Sequence, residues 1–212
     1  QLNSANRFQF LLNLADKVRN ARGASTTRPP ETVYVQTSGH SLGTPTYNVK
    51  HTWVLSDKLV FDSGFNHTGG GFILDFPDPD RQWDLEPIFD DDTNGWSRSF
   101  ERSVQGPRPN TEIKTDSSYF LSNLLGGDHQ LKFGVRYKYW ETGGGGHVGG
   151  NAVAQYDDLD NNDATPVTPE LVQIYRDGNT LSRTWTYGGY LQDNFSRGKL
   201  RLNMGLRYDF QD

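Results

Sequence analysis

The 212-residue sequence has no cysteine and a single methionine. Without Cys there is no disulfide scaffold, no zinc ribbon and no thiol catalysis. No window approaches the ~20 consecutive apolar residues of a membrane-spanning helix, and the mean hydropathy is -0.75. Basic residues are in deficit, 21 Lys and Arg against 26 Asp and Glu, for a net charge of -5. The basic stripe of a nucleic-acid binder is absent, so no nucleic-acid partner is expected. Gln1 to Asn6 is polar and lacks Met; an export signal is expected to have been removed, or the segment to be internal to a longer chain. Aromatic residues, in contrast, reach 13%, which a disordered chain would not carry.

Those aromatics recur with period two. In Gln130 to Trp140, Leu131, Phe133, Val135, Tyr137 and Tyr139 alternate with Gln130, Lys132, Gly134, Arg136 and Lys138. This is a strand with one apolar and one charged face. Lys199 to Phe210 repeats it: Leu200, Leu202, Met204, Leu206, Tyr208 and Phe210 interleave with Arg201, Asn203, Gly205, Arg207 and Asp209. Thr180 to Phe195, Pro45 to Leu55, Leu59 to His67 and, more weakly, Thr111 to Leu124 follow the same rule.

Short connections at 56–58, 126–129 and 196–199 have the polar, mostly Gly-containing chemistry of hairpin turns. They alternate with long stretches rich in Gly, Pro, Asp and Asn. The chain therefore divides into 1–44, 45–67 (hairpin), 68–110 (long loop), 111–142 (hairpin), 143–179 (long loop) and 180–212 (hairpin). In 1–44, Leu11, Leu12, Leu14, Ala15 and Val18 fit helical spacing, Arg7 to Leu12 fits a strand equally well, and Thr32 to Gln36 is a short strand candidate.

The expected fold class is all-β: an antiparallel up-and-down transmembrane β-barrel fragment with tight turns at one end and long extracellular loops at the other. Leu131, Phe133, Val135, Tyr137, Leu200, Leu202, Met204, Leu206 and Tyr208 are expected to face outer-membrane lipid. Lys132, Arg136, Lys138, Arg201, Asn203 and Arg207 are expected to face a wet lumen, since Arg on the lipid face at mid-membrane costs about 2–4 kcal/mol. The competing readings are a half-buried soluble sheet, such as a secreted all-β carbohydrate-binding module, and a plug-less structural barrel or adhesin.

Motifs for chemistry fail on context. Gly39-His40-Ser41-Leu42-Gly43 matches G-x-S-x-G, but Pro45 and a strand follow where a nucleophile elbow needs a helix, so a Gly-rich turn is the reading. The five histidines show no paired spacing and read as surface or loop residues. Asp158, Asp160 and Asn162 are the calcium candidates of an acidic run that lacks the Gly and Glu of an EF-hand; a solvated loop is the default. Gly69 to Gly71 and Gly143 to Gly146 lack the Lys-Ser/Thr of a phosphate loop and read as flexible shoulders. The acidic 68–110 stretch contributes Trp83, Asp84 and Trp96 as candidates to grip an extracellular ligand. No enzymatic activity and no cofactor are expected.

The segments Tyr187-Gly188-Gly189-Tyr190-Leu191-Gln192-Asp193-Asn194-Phe195 and Leu200-Arg201-Leu202-Asn203-Met204-Gly205-Leu206-Arg207-Tyr208-Asp209 resemble the barrel hairpin of TonB-dependent outer-membrane receptors. That hairpin reads Y-x-x-x-Q-D-x-W, a turn, then L-x-L-x-x-G-L-R-Y-D; Phe195 stands where Trp is common. Tyr47 through Asp80 and Leu131 to Trp140 are similar in texture to the Oar-like branch of the group. The resemblance implies a plugged barrel in a Gram-negative outer membrane that imports a scarce ligand with energy delivered by TonB. Plugged transporters have about 22 strands, so a piece from the middle of a barrel is expected.

Overall fold

The computed structural model describes residues 5–38, 44–99, 104–157 and 168–212. Strand β1 (Asn6–Ala15) is followed by short β2 (Arg19–Arg22) and β3 (Tyr34–Thr37), then by long β4 (Thr44–Ser56) and β5 (Leu59–Asp75). A one-turn helix, α1 (Pro79–Gln82), and short β6 (Ile88–Asp90) and β7 (Gly95–Ser97) lead to β8 (Val104–Leu124) and β9 (Gly127–Gly146). Short β10 (Ala152–Tyr156) and β11 (Leu171–Ile174) precede β12 (Gly178–Arg197) and β13 (Leu200–Gln211).

The long strands form one antiparallel sheet in the order β1-β4-β5-β8-β9-β12-β13, with β3 added to the upper end of β5 and β2 to β3. All three tight turns, between β4 and β5, β8 and β9, and β12 and β13, fall at one end. At the middle one, Leu125 and Gly126 both have positive φ, 51° and 82°, the backbone of a two-residue turn whose twist matches its strands.

The ambiguity in the first residues resolves as a strand. β1 ladders onto β4 from Asn6↔Trp53 to Ala15↔Thr44. Its Phe8, Phe10, Leu12 and Leu14 continue the period-two apolar series of β4, whereas a helix would have left the β4 backbone unpaired on that side.

β8, β9 and β12 are 21, 20 and 20 residues long, about twice the ~9–11 residues a spanning strand needs. Their upper halves therefore extend beyond the apolar zone, and this corrects the reading of the glycine runs. Gly69–Gly71 lies within β5 and Gly143–Gly146 within β9. They are strand residues at close approach: a Cβ on Gly143 would stand 2.7 Å from the Pro107 ring.

A second, four-stranded sheet, β11-β10-β6-β7, is made from the long connections, with β10 and β6 parallel. The buried apolar side chains of the described residues, Val33, Leu74, Phe76, Ile88, Val148, Val153 and Ala154, cluster at this end. Below Leu74, at the upper end of β5, the main sheet has no such core. Its large apolar residues are exposed, Val135 at 66%, Leu206 at 78% and Tyr208 at 69% among them.

Candidate functional site

Directly paired residues of an antiparallel ladder share a face, so the register sorts the sheet. One row runs Phe10, Val49, Phe65, Ile113, Tyr137, Tyr187 and Phe210 across seven strands. The same face holds Leu131, Phe133 and Val135 on β9, and Leu202, Met204, Leu206 and Tyr208 on β13, with Leu200 at its start. Cross-strand aromatic pairs knit it: Trp53 with Phe61 at 5.9 Å, Tyr137 with Tyr187 at 5.3 Å and Tyr139 with Trp185 at 5.5 Å.

Lys132, Arg136, Lys138, Arg201, Asn203 and Arg207 all fall on the opposite face. There Arg207 forks onto Asp209, Nε to Oδ2 at 2.6 Å and Nη2 to Oδ1 at 2.9 Å. Tyr190 donates to Asp116 Oδ1 at 2.9 Å, and Arg136 stands 4.0 Å from Glu112. Lys132, Tyr190, Gln192, Gly205 and Arg207 line a groove of about 420 Å³ on this side. These pairs are exposed or half-exposed to solvent, which screens them.

Two polar pairs lie at the ends of the apolar face. His129 Nδ1 and Asp193 Oδ2 are 2.6 Å apart near the tight turns. Glu141, which also accepts from Tyr139, lies 3.8 Å from Arg183 toward the loops.

The loop end is organised by a histidine that sequence reasoning passed over. His147, expected to be a surface or loop residue, lies in the connection after β9 but is only 6% exposed. Its Nδ1 meets Asp177 Oδ1 at 2.7 Å and its Nε2 the Trp83 carbonyl at 2.7 Å. The Trp83 indole stacks on the imidazole at 3.9 Å between centroids and is 45% exposed. Buried Gln82 joins three segments: its Nε2 donates to the Glu31 and Arg98 carbonyls at 2.8 and 3.1 Å, and its Oε1 accepts from Asp78 N–H at 2.9 Å.

Of the ligand candidates, Asp84 is exposed beside Trp83. Trp96 is at a different seam, packed on Phe89 at 5.1 Å and under the Arg28 guanidinium at 5.5 Å. Asp158, Asp160 and Asn162, and the Gly39–Gly43 turn, lie outside the described residues. No cluster of three or more His, Asp or Glu suited to a metal occurs among the described residues, and none of their helices is long and apolar enough to cross a membrane.

Comparison with curated protein sequences returns no match. Among solved structures, the chain is similar to the outer membrane transporter YddB from Escherichia coli, with a TM-score of 0.64 and 15% identity over 99% of this chain. The chain spans 26% of the length of that protein, and the likeness is one of fold. The family model described as TonB dependent receptor-like, beta-barrel matches residues 2–212. An all-β sheet with tight turns at one end, long loops at the other and one apolar face agrees with that match: the chain belongs to the TonB-dependent receptor-like β-barrel family of the bacterial outer membrane.

Proposed function

We propose that this chain supplies wall and outer loops to a TonB-dependent transporter of the Oar-like branch, which imports a scarce extracellular ligand and has no catalysis of its own. Its partners in this reading are outer-membrane lipid, the TonB system acting through a plug, and a ligand met at Trp83, Asp84 and Trp96. The observation that carries it is the division of the sheet into an apolar and a charged face over seven strands. The Leu131, Phe133, Val135 and Tyr137 face, with its β13 partners, is the lipid side; the Lys132, Arg136, Lys138, Arg201, Asn203 and Arg207 face is the lumen.

The spacing of the polar pairs supports this. Twelve residues separate His129 from Glu141, about 40 Å along a strand at ~3.3 Å per residue. At a barrel tilt of about 40° that is about 30 Å across the membrane, enough for an apolar band of ~25 Å and its aromatic girdles.

These 212 residues hold no cysteine of their own, so cysteines introduced here are read in a receptor whose other cysteines, where present, are replaced by serine. Single cysteines at Lys132, Arg136, Val135 and Leu206 in the receptor, in outer-membrane vesicles, are exposed to a water-soluble maleimide and separately to a lipid-soluble one. Water-phase labelling at 132 and 136 with lipid-phase labelling at 135 and 206 supports the wall. The reverse pattern overturns it. For transport, loss of ligand uptake on removing TonB is the expected result; uptake unchanged without TonB rejects the import reading.

A further inference from the structure

Above the aromatic row the ladder continues into a pocket of which the import reading uses only Trp83. Ile73 pairs with Gln105, Gln105 with Gly145 and Gly145 with Asn179. Asp75, His147 and Asp177 stand two residues further along the same segments. With Trp83 these side chains line a pocket of about 150 Å³. By the two-residue period, Ile73, Asp75, Gln105 and Asn179 belong to the face of Phe133 and Tyr137, the face assigned above to lipid. Six residues separate Tyr139 from Gly145, about 20 Å along the strand and about 15 Å above the girdle at ~40° of tilt. That is the height of headgroup sugars, outside the barrel wall.

The lining selects a ligand chemistry. Asp75 uses one oxygen to accept its neighbour Phe76 N–H at 2.8 Å, and Asp177 uses Oδ1 for His147. Each therefore keeps a second carboxylate oxygen for an incoming donor. Gln105 and Asn179 add amides that both donate and accept, and a Cβ on Gly145 would collide with the Asn179 amide, which lies over that glycine. Trp83 adds a half-exposed aromatic wall, stacked on His147. An anion is repelled by the two carboxylates, and an acyl chain would bury them unpaired. A bare metal ion finds no cluster of three suitable ligands among the described residues. A ring bearing several hydroxyls meets every requirement: its hydroxyls donate to the carboxylates and bond the amides, while its C–H face covers the indole. The volume, room for roughly five waters at ~30 Å³ each, is that of one such ring.

We propose that this pocket binds a single sugar ring, held by Asp75, Asp177, Gln105 and Asn179 against Trp83. Its position outside the wall, which rests on the lipid assignment of the Phe133 face, makes a glycolipid of the outer leaflet the nearest source; a dissolved saccharide carries the same chemistry. The test uses the receptor carrying this sequence, in lipid nanodiscs, with two probes. One is lipopolysaccharide bearing its core sugars, placed in the disc bilayer and scored by retention in native mass spectrometry. The other is the free core oligosaccharide, titrated calorimetrically.

Binding of either probe, weakened about tenfold or more by Trp83→Leu, Asn179→Ala and Asp177→Asn and unchanged by Lys58→Ala in the distant turn, supports the site. Tenfold corresponds to about 1.4 kcal/mol, the scale of one hydrogen bond. Retention of lipopolysaccharide without binding of the free sugar identifies the leaflet as the source, and equal binding of both identifies a dissolved saccharide. Binding of neither, or binding indifferent to all three substitutions in protein that keeps the gel mobility of a folded barrel, overturns the proposal. Quenching of Trp53 and Trp185 by brominated lipid, measured on the same discs, separates the two readings: quenching without sugar binding rejects the pocket alone, and absence of quenching rejects the lipid face.

Discussion

Tyr190 on β12 reaches Asp116 on β8 across the intervening strand, its hydroxyl donating to Oδ1 at 2.9 Å. It can do so because β9 carries Gly134 between them. A Cβ there would sit 2.6 Å from Tyr190 Cε1 and 2.8 Å from Asp116 Oδ1. The phenol thus covers a strand glycine that would otherwise leave a gap and a flexible backbone, and fixes the relative height of three strands. Gly134→Ala is expected to destabilise the folded barrel by about 1–3 kcal/mol, the range for overpacking, and Tyr190→Phe by about 1 kcal/mol, one hydrogen bond. Urea unfolding of refolded protein in vesicles checks both. The double variant should fall short of the sum, because the alanine already displaces the ring; full additivity would mean that ring and glycine are not coupled.

The turn between β8 and β9 holds Leu125 at φ 51° with its side chain 84% exposed. A left-handed backbone is disfavoured by about 1–2 kcal/mol for a residue with a bulky Cβ substituent, and much less for Asn or Gly. Leu125→Asn should raise stability by about 1 kcal/mol and leave the register of the hairpin intact. A decrease in the urea midpoint would show that Leu125 makes a stabilising contact the isolated turn does not explain.

The long strands were legible because their chemistry repeats at the period of the backbone. Leu131 to Tyr139 and Leu200 to Phe210 each declare two faces without help from their neighbours. β1 was ambiguous because Leu11 interrupts that rule: it lies on the face opposite Phe10 and Leu12, and its spacing from Leu14 and Ala15 mimics a helix turn. The loop sheet was not legible at all. β6 and β7 are three residues each, too short for any periodicity, and β6 finds its parallel partner β10 more than sixty residues away, at Ala154↔Ile88. His147 was passed over for a related reason: Trp83 lies in the connection before β6, Asp177 is brought beside it by the β9–β12 register at Gly178↔Gly146, and no local spacing announces either. Trp83 and Asp84 were named from composition alone, as an aromatic beside a carboxylate, and the stacking of Trp83 on His147 was not part of that reading.

The two faces of β9 make different demands on a side chain. Val135 lies near the middle of the apolar face and is 66% exposed; Lys132 lies on the charged one. With lipid against Val135, Val135→Arg is expected to cost about 2–4 kcal/mol, the mid-membrane value for a barrel exterior. Lys132→Ala should stay within about 0.5 kcal/mol, as for an ordinary solvated surface site. Unfolding in vesicles followed by tryptophan fluorescence measures both. Equal and small effects at the two positions would place water on both faces and contradict the assignment.

Gln82 gives a way to separate the loop sheet from the wall. Its amide is 3% exposed and spends both ends on backbone: two carbonyls, of Glu31 and Arg98, and the Asp78 N–H. Gln82→Ala would remove the partner of three part-buried backbone groups, at about 1 kcal/mol for each hydrogen bond lost. Among the described residues no long strand hydrogen-bonds this amide, so the loss should fall on the loop end alone. Limited proteolysis is expected to cut the variant faster within the 76–103 and 147–177 connections, while the heat-dependent gel shift of the barrel stays at its original temperature. Because Trp83 follows directly on Gln82 and rests on His147, the same variant should loosen the ligand candidates without touching them. Slower proteolysis, or a barrel that melts together with its loops, would show the two sheets to be one cooperative unit.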